Sequence, residues 1–73
     1  MTGTTASVSV TVNAEPQAVA PGTTLDVLVA ARTAAPSGVA AAVNETVVPR
    51  AAWPRTVLGD GDRVEILTAV QGG

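Results

Sequence analysis

An α+β domain, in which a mixed sheet of four to five strands packs on one helix, is the fold class that the sequence predicts. Three observations carry this expectation. The segment Ser7-Val8-Ser9-Val10-Thr11-Val12 alternates polar residues with valines, the period of two that marks a half-buried strand. Leu25, Leu28, Val29 and Arg32 recur at spacings of three and four, the pattern of one face of a helix. Strand-like segments precede and follow that helix, and a sheet with one apolar face must bury it against a second layer, so the helix is expected to cover the valine face.

Residues 1–6 are small and polar without periodicity, and read as a loose N-terminus. Residues 7–70 form the folded domain, and 71–73 a flexible tail. The first strand starts at Ser7, and Asn13-Ala14-Glu15-Pro16 turns the chain into a second strand, Gln17 to Ala20, which Pro21-Gly22 breaks. These two strands make a hairpin. Thr23-Thr24-Leu25-Asp26 is a helix start: a threonine hydroxyl can accept from the free amides of the first turn, and Asp26 sits at the positive end of the dipole. Leu25, Leu28 and Val29 are predicted core, Asp26 and Thr33 face water, and Pro36 to Gly38 ends the helix.

Val39 to Val43 is a third strand, Asn44-Glu45 a tight turn, and Thr46 to Val48 a fourth strand stopped by Pro49. Residues 50–55 contain Trp53 and Pro54. Val57-Leu58 is a short apolar piece, and Gly59-Asp60-Gly61-Asp62 is a turn that delivers the last strand, Arg63 to Val70. Alternation in that strand puts Val64, Ile66, Thr68 and Val70 on one face and Arg63, Glu65, Leu67 and Ala69 on the other. The last strand is placed at or near the centre of the sheet, so that the tail leaves from a rigid support.

Composition narrows the function. With 73 residues, one small domain is expected, whose core energy comes from many burials of about 1.5–3 kcal/mol per Val or Leu. Cysteine and histidine are absent, which removes thiol nucleophiles, disulfides, the usual zinc ligands and the side chain that titrates near neutrality. A stand-alone enzyme is therefore not expected. All four positive charges are arginines and the net charge is −2, too few cations for the run of phosphate contacts that nucleic-acid binding needs. No charged leader precedes an apolar run of signal length and no apolar run reaches the roughly 18 residues of a membrane span, so a cytoplasmic protein is expected. Absence of lysine fits codon bias in an alanine-, valine- and arginine-rich chain, with protection against self-acylation as the alternative.

The candidate working group is the carboxylate of Gly73. Gly72-Gly73 follows the apolar run Ile66 to Gln71 directly, and two residues without a Cβ can thread a slot that any side chain would block. The plain alternative is an ordinary frayed end. Leu67, flanked by Ala69, is the candidate partner anchor on the outward face of the last strand, against the alternative of a singly exposed leucine. Trp53 reads as partly buried packing rather than a binding hot spot. Arg50 and Arg55 read as solvated charges. Asp60 and Asp62 are flanked by glycines, so loop formation explains them better than metal binding, and no metal site is assigned.

A resemblance covers nearly the whole chain after Ser7. Val12-Asn13-x-Glu15, Ala20-Pro21-Gly22-Thr23-Thr24-Leu25, Gly38-Val39-Ala40-x-Ala42-Val43-Asn44, Val47-Val48-Pro49-Arg50-x-x-Trp53 and the run Asp60 to Gly73 together resemble ThiS, the sulfur carriers of thiamine biosynthesis and relatives of the molybdopterin synthase small subunit. The resemblance implies a ubiquitin-like β-grasp fold with a flexible Gly-Gly tail. It implies that a ThiF-like adenylating enzyme, using ATP and magnesium, activates the Gly73 carboxylate, with Gln71 and Gly72 as the rest of the tail. A persulfide sulfur donor then yields a C-terminal thiocarboxylate, which delivers sulfur to a ThiG-like thiazole synthase. The carrier is a protein cosubstrate with no permanently bound cofactor, and monomeric when free.

Other readings stay open at this stage: a sulfur carrier for molybdopterin or tRNA thiolation, a ubiquitin-like protein modifier, or a structural module with an inert tail. The chain departs from its relatives at both tight turns, which read Asn13-Ala14 and Asn44-Glu45 instead of Asn-Gly. A positive φ at either second residue costs roughly 1 kcal/mol.

Overall fold

The computed structural model describes residues 7–33 and 38–68. In chain order the elements are β1 (Val8–Val12), β2 (Glu15–Val19), α1 (Leu25–Arg32), β3 (Val39–Val43), β4 (Thr46–Val48), a 3₁₀ segment (Arg50–Arg55) and β5 (Arg63–Thr68). The strands form one mixed sheet in the order β2-β1-β5-β3-β4. β1 pairs antiparallel with β2 and parallel with β5, while β3 pairs antiparallel with both β4 and β5. The fold is the ubiquitin-like β-grasp, with the C-terminal strand at the centre as expected.

Helix α1 covers one face of the sheet. From the sheet come Val10, Val12, Ala41, Val64 and Ile66, and from the helix Leu25, Leu28 and Val29, all buried. Trp53 and Leu58 close the core from the connection between β4 and β5. Pairing of Val12 with Val64, and of Ala41 with Ile66, aligns the inward positions of three neighbouring strands, so the helix meets one continuous apolar surface.

Both hairpins turn through two residues in left-handed backbone: Asn13 and Ala14 at φ 50° and 72°, Asn44 and Glu45 at φ 52° and 72°. Positive φ at both central positions is the type I′ geometry that suits the twist of a hairpin. The first turn therefore needs no more than Asn13-Ala14, and β2 starts at Glu15 rather than Gln17. Pro16 sits inside β2, an edge strand, where its missing N–H breaks no ladder bond.

The helix departs from expectation at both ends. Thr24 holds the extended N-cap backbone, but its hydroxyl donates to the Asp26 carboxylate and caps no amide. The amides of Val27 and Leu28 instead reach the Thr24 carbonyl, and that of Leu25 reaches Thr56. The helix ends at Arg32 because β-branched Thr33 takes an extended conformation, φ −145° and ψ 144°; the expected stop, Pro36 to Gly38, lies outside the described residues except for Gly38. Arg32, expected on the apolar side, is exposed and donates to Gln17 Oε1 at 3.0 Å, with Glu15 at 3.6 Å.

The connection from β4 to β5 is tied back to the helix start. Leu25 N–H donates to Thr56 at 2.8 Å and Leu58 N–H to Thr23 at 3.0 Å, a bridge in which Val57 pairs with Thr24. In the turn before β5, Gly61 lies at φ 83° and the Asp62 amide returns to the Gly59 carbonyl at 3.1 Å, a conformation that requires glycine at the third position. Ala69 and Val70, expected to extend the last strand, and residues 1–6 and 71–73 lie outside the described residues.

Candidate functional site

β5 sits between β1 and β3, and its alternation sorts its side chains between two environments. Val64 and Ile66 point into the core, whereas Arg63, Glu65 and Leu67 face away from α1 and are exposed. Leu67 retains 66% of its accessible surface. Ala40 lies directly opposite it, while in the next row Ala42 lies opposite Glu65 and Val47 opposite Ala42. Val47 is 71% exposed and Ala40 is exposed as well. The open face of the sheet thus carries Leu67 beside Ala40, with Ala42 and Val47 in the next row, where Glu65 is their neighbour on β5.

Sequence reasoning identified Leu67 on this face but missed Val47, Ala40 and Ala42. The alternation of Val39–Val43 was the available signal, since Ala40 and Ala42 take the parity opposite to core residue Ala41; the register that aligns them with Leu67 is long-range and leaves no local trace. Ala69, Gln71, Gly72 and Gly73, the other predicted site residues, lie outside the described residues. Gly73 follows Thr68 by five residues, so the chain can place it at most about 17 Å from the end of β5.

Two asparagines brace β5. Asn13 accepts from the Ile66 N–H through Oδ1 at 2.9 Å and donates from Nδ2 to the Ile66 carbonyl at 3.3 Å. Asn44 accepts from the Arg63 N–H through Oδ1 at 3.0 Å and donates from Nδ2 to the Asp62 carboxylate at 3.0 Å. Sequence reasoning assigned these residues only to turns, because each brace joins positions far apart in the chain.

The carboxylates at the start of β5, away from Leu67, are occupied structurally. Asp60 accepts from the Ser9 amide at 2.7 Å, and Asp62 accepts from the Gly59 amide at 2.8 Å. Glu45 meets Arg63 at 3.3 Å in an exposed ion pair. Among the described residues no group of three His, Cys, Asp or Glu side chains could hold a metal ion, and no pocket opens. No helix among them is long and apolar enough to cross a membrane. Trp53 is core, with the Arg50 guanidinium 5.3 Å from its ring centroid, which places that arginine in a cation–π contact. This arrangement leaves Leu67, Ala40 and Val47 open to contact by another protein.

Comparison with known proteins agrees with that geometry. The family profile described as the ThiS family matches residues 10–73, through the terminal glycine. Among solved structures, the crystal structure of the thiamine biosynthesis protein ThiS from Geobacter metallireducens is similar at 33% identity and a TM-score of 0.77, over 90% of this chain and 100% of that one. No curated protein matches the sequence.

Proposed function

The chain belongs to the ThiS family, and from that premise we propose that it is a sulfur carrier of thiamine biosynthesis whose Gly73 carboxylate is the cargo site. The observation that carries the reading is the placement of the C-terminal strand: β5 is central, held on both sides, and leads in sequence straight to Gly72-Gly73. A rigid root with a thin end suits delivery of a chain terminus into another protein's active site.

A carboxylate is a poor electrophile because its charge is delocalised and its oxygens leave badly. Adenylation corrects this: a Gly73 carboxylate oxygen bonds to the α-phosphorus of ATP on a ThiF-like partner, with magnesium, and pyrophosphate departs. The terminal sulfur of a persulfide then attacks the acyl carbon and AMP leaves, giving an acyl disulfide; a second thiol attacks the donor's sulfur, forming a disulfide with the donor and releasing the carrier as a thiocarboxylate. Thiazole synthase takes that sulfur and returns the plain carboxylate. Cβ atoms at positions 72 or 73 would hold the carboxylate away from the phosphate, and a misplacement of about 1 Å can cost roughly 100-fold in rate.

Docking falls to the open face. Leu67, with Ala40 opposite it on β3 and Ala42 and Val47 in the next row, supplies an apolar surface for the adenylating enzyme; Ala69, which the sequence also suggests, lies outside the described residues. The test is the intact mass of the carrier before and after incubation with that enzyme, ATP, magnesium and a persulfide donor. Exchange of one oxygen for sulfur, mapped to Gly73 and lost on its deletion, supports the proposal. An unchanged mass with an active partner overturns it.

A further inference from the structure

We infer that Asn13 is a positioning residue for the C-terminal tail: its carboxamide makes the last hold of the β1 side on β5 and so sets where the tail begins. The inference rests on the carrier reading above. Parallel pairing of β1 with β5 ends at Val12 and Val64, because the chain turns away at Asn13 with φ 50°. The Asn13 amide still reaches the Val64 carbonyl at 2.9 Å. One step further along β5, the backbone groups of Ile66 on this side meet the Asn13 side chain, Oδ1 at 2.9 Å and Nδ2 at 3.3 Å. The carboxamide thus stands in for the peptide unit that a longer β1 would have supplied.

On its other side β5 is paired through Thr68, opposite Val39. Without the Asn13 brace, the last described residues of β5, 66–68, would be held from the β3 side only. Ile66 immediately precedes Leu67, so the brace fixes the strand at the proposed docking residue, near the end of β5 that leads in sequence to the tail. Preference of asparagine for left-handed backbone explains its presence in the turn, but glycine would meet that demand at least as well. The paired bonds to Ile66 are what glycine would lack.

Asn44 is a built-in control. It has nearly the same backbone, φ 52°, in the same type of turn, and likewise bonds β5 through its side chain, but at Arg63, the end away from the tail. Asn13→Gly and Asn44→Gly therefore remove matched interactions from opposite ends of one strand.

The experiment compares the full-length wild-type chain with both variants, by amide hydrogen exchange and by the single-turnover rate of adenylate formation on the activating enzyme with ATP. In Asn13→Gly, exchange at Ile66 is expected to accelerate and the rate at saturating carrier to fall roughly tenfold, with half-saturation unchanged. Asn44→Gly is expected to keep both the Ile66 exchange and the saturated rate. A purely structural role would lower the folded fraction, which raises apparent half-saturation and spares the saturated rate. That pattern in Asn13→Gly, or equal losses of rate in the two variants, overturns the inference. A wild-type chain that is never adenylated overturns both the inference and the carrier reading.

Discussion

Trp53 donates its indole N–H to the carbonyl oxygen of Val48 at 2.8 Å, joining the 3₁₀ segment to the end of β4. The ring is 4% exposed and is the chain's single aromatic residue, so core packing and one hydrogen bond meet in a single side chain. Trp53→Phe keeps much of the buried area but loses the bond and part of the volume, and is expected to cost about 1–2 kcal/mol. Trp53→Ala is expected to cost about 3–5 kcal/mol, enough to unfold a small domain outright. Urea unfolding followed by circular dichroism checks both; a Trp53→Ala cost near that of an exposed substitution would show that the ring does not support the core.

The two hairpin turns offer stability in unequal measure. Ala14 and Glu45 both sit at φ 72°, where a Cβ is unfavourable and glycine is not. Ala14→Gly is expected to stabilise by about 1 kcal/mol, raising Tm by about 4–8 °C for a domain of this size. Glu45→Gly gains the same backbone relief but gives up the exposed pair with Arg63 at 3.3 Å, worth about 0–1 kcal/mol, so its net gain is smaller. Calorimetry of the two variants tests the order; a Tm below wild type for Ala14→Gly would contradict the strain argument.

These turns also show where the sequence is legible and where it is not. Val39–Val43 and Thr46–Val48 have the bounds that their apolar residues, the Asn44-Glu45 turn and Pro49 predict, because those signals act within a few residues. Leu25, Leu28 and Val29 are buried as their spacing requires. β2 was harder: Ala14 and Glu15 are weak turn and strand residues, so only the hairpin register reveals that the turn is two residues long. The 3₁₀ segment left no periodic signal, since Trp53 is its sole buried residue and Pro54 interrupts it. At the candidate site, the exposure of Leu67 follows from alternation, while its pairing with Ala40 and the hold of Asn13 on Ile66 depend on contacts that the fold alone creates.

Leu67 separates docking from folding. With 66% of its surface exposed, Leu67→Glu is expected to change stability by no more than about 0.5 kcal/mol. In the proposed complex the same substitution puts a charge into an apolar contact, and a loss of 2 kcal/mol or more is the usual cost at an anchor, roughly 30-fold in affinity. Val47→Glu is expected to act in the same direction more weakly, from two strands away. Titration of the activating enzyme with each folded variant provides the measurement, and wild-type affinity for Leu67→Glu would remove the open face from the recognition surface.

The tail tests chemistry without touching the fold. Gly72 lies four residues beyond Thr68, where the described pairing of β5 with β3 ends, so Gly72→Ala is expected to leave the unfolding midpoint at its wild-type value. Adenylation should respond differently, because the carboxylate must lie in line with the α-phosphorus and an added methyl group enters the narrowest part of its approach. A rate lower by roughly 100-fold at saturating carrier is expected, the scale on which misplacement of about 1 Å acts. The proposed docking residue, Leu67, precedes Gly72 by five residues in the sequence, so half-saturation should hold while the rate falls. Rapid-quench measurement of pyrophosphate release resolves the two parameters. A Gly72→Ala chain adenylated at the wild-type rate would mean that the partner's channel is wide at this position, and the terminal glycines would then need a reason other than their missing side chains.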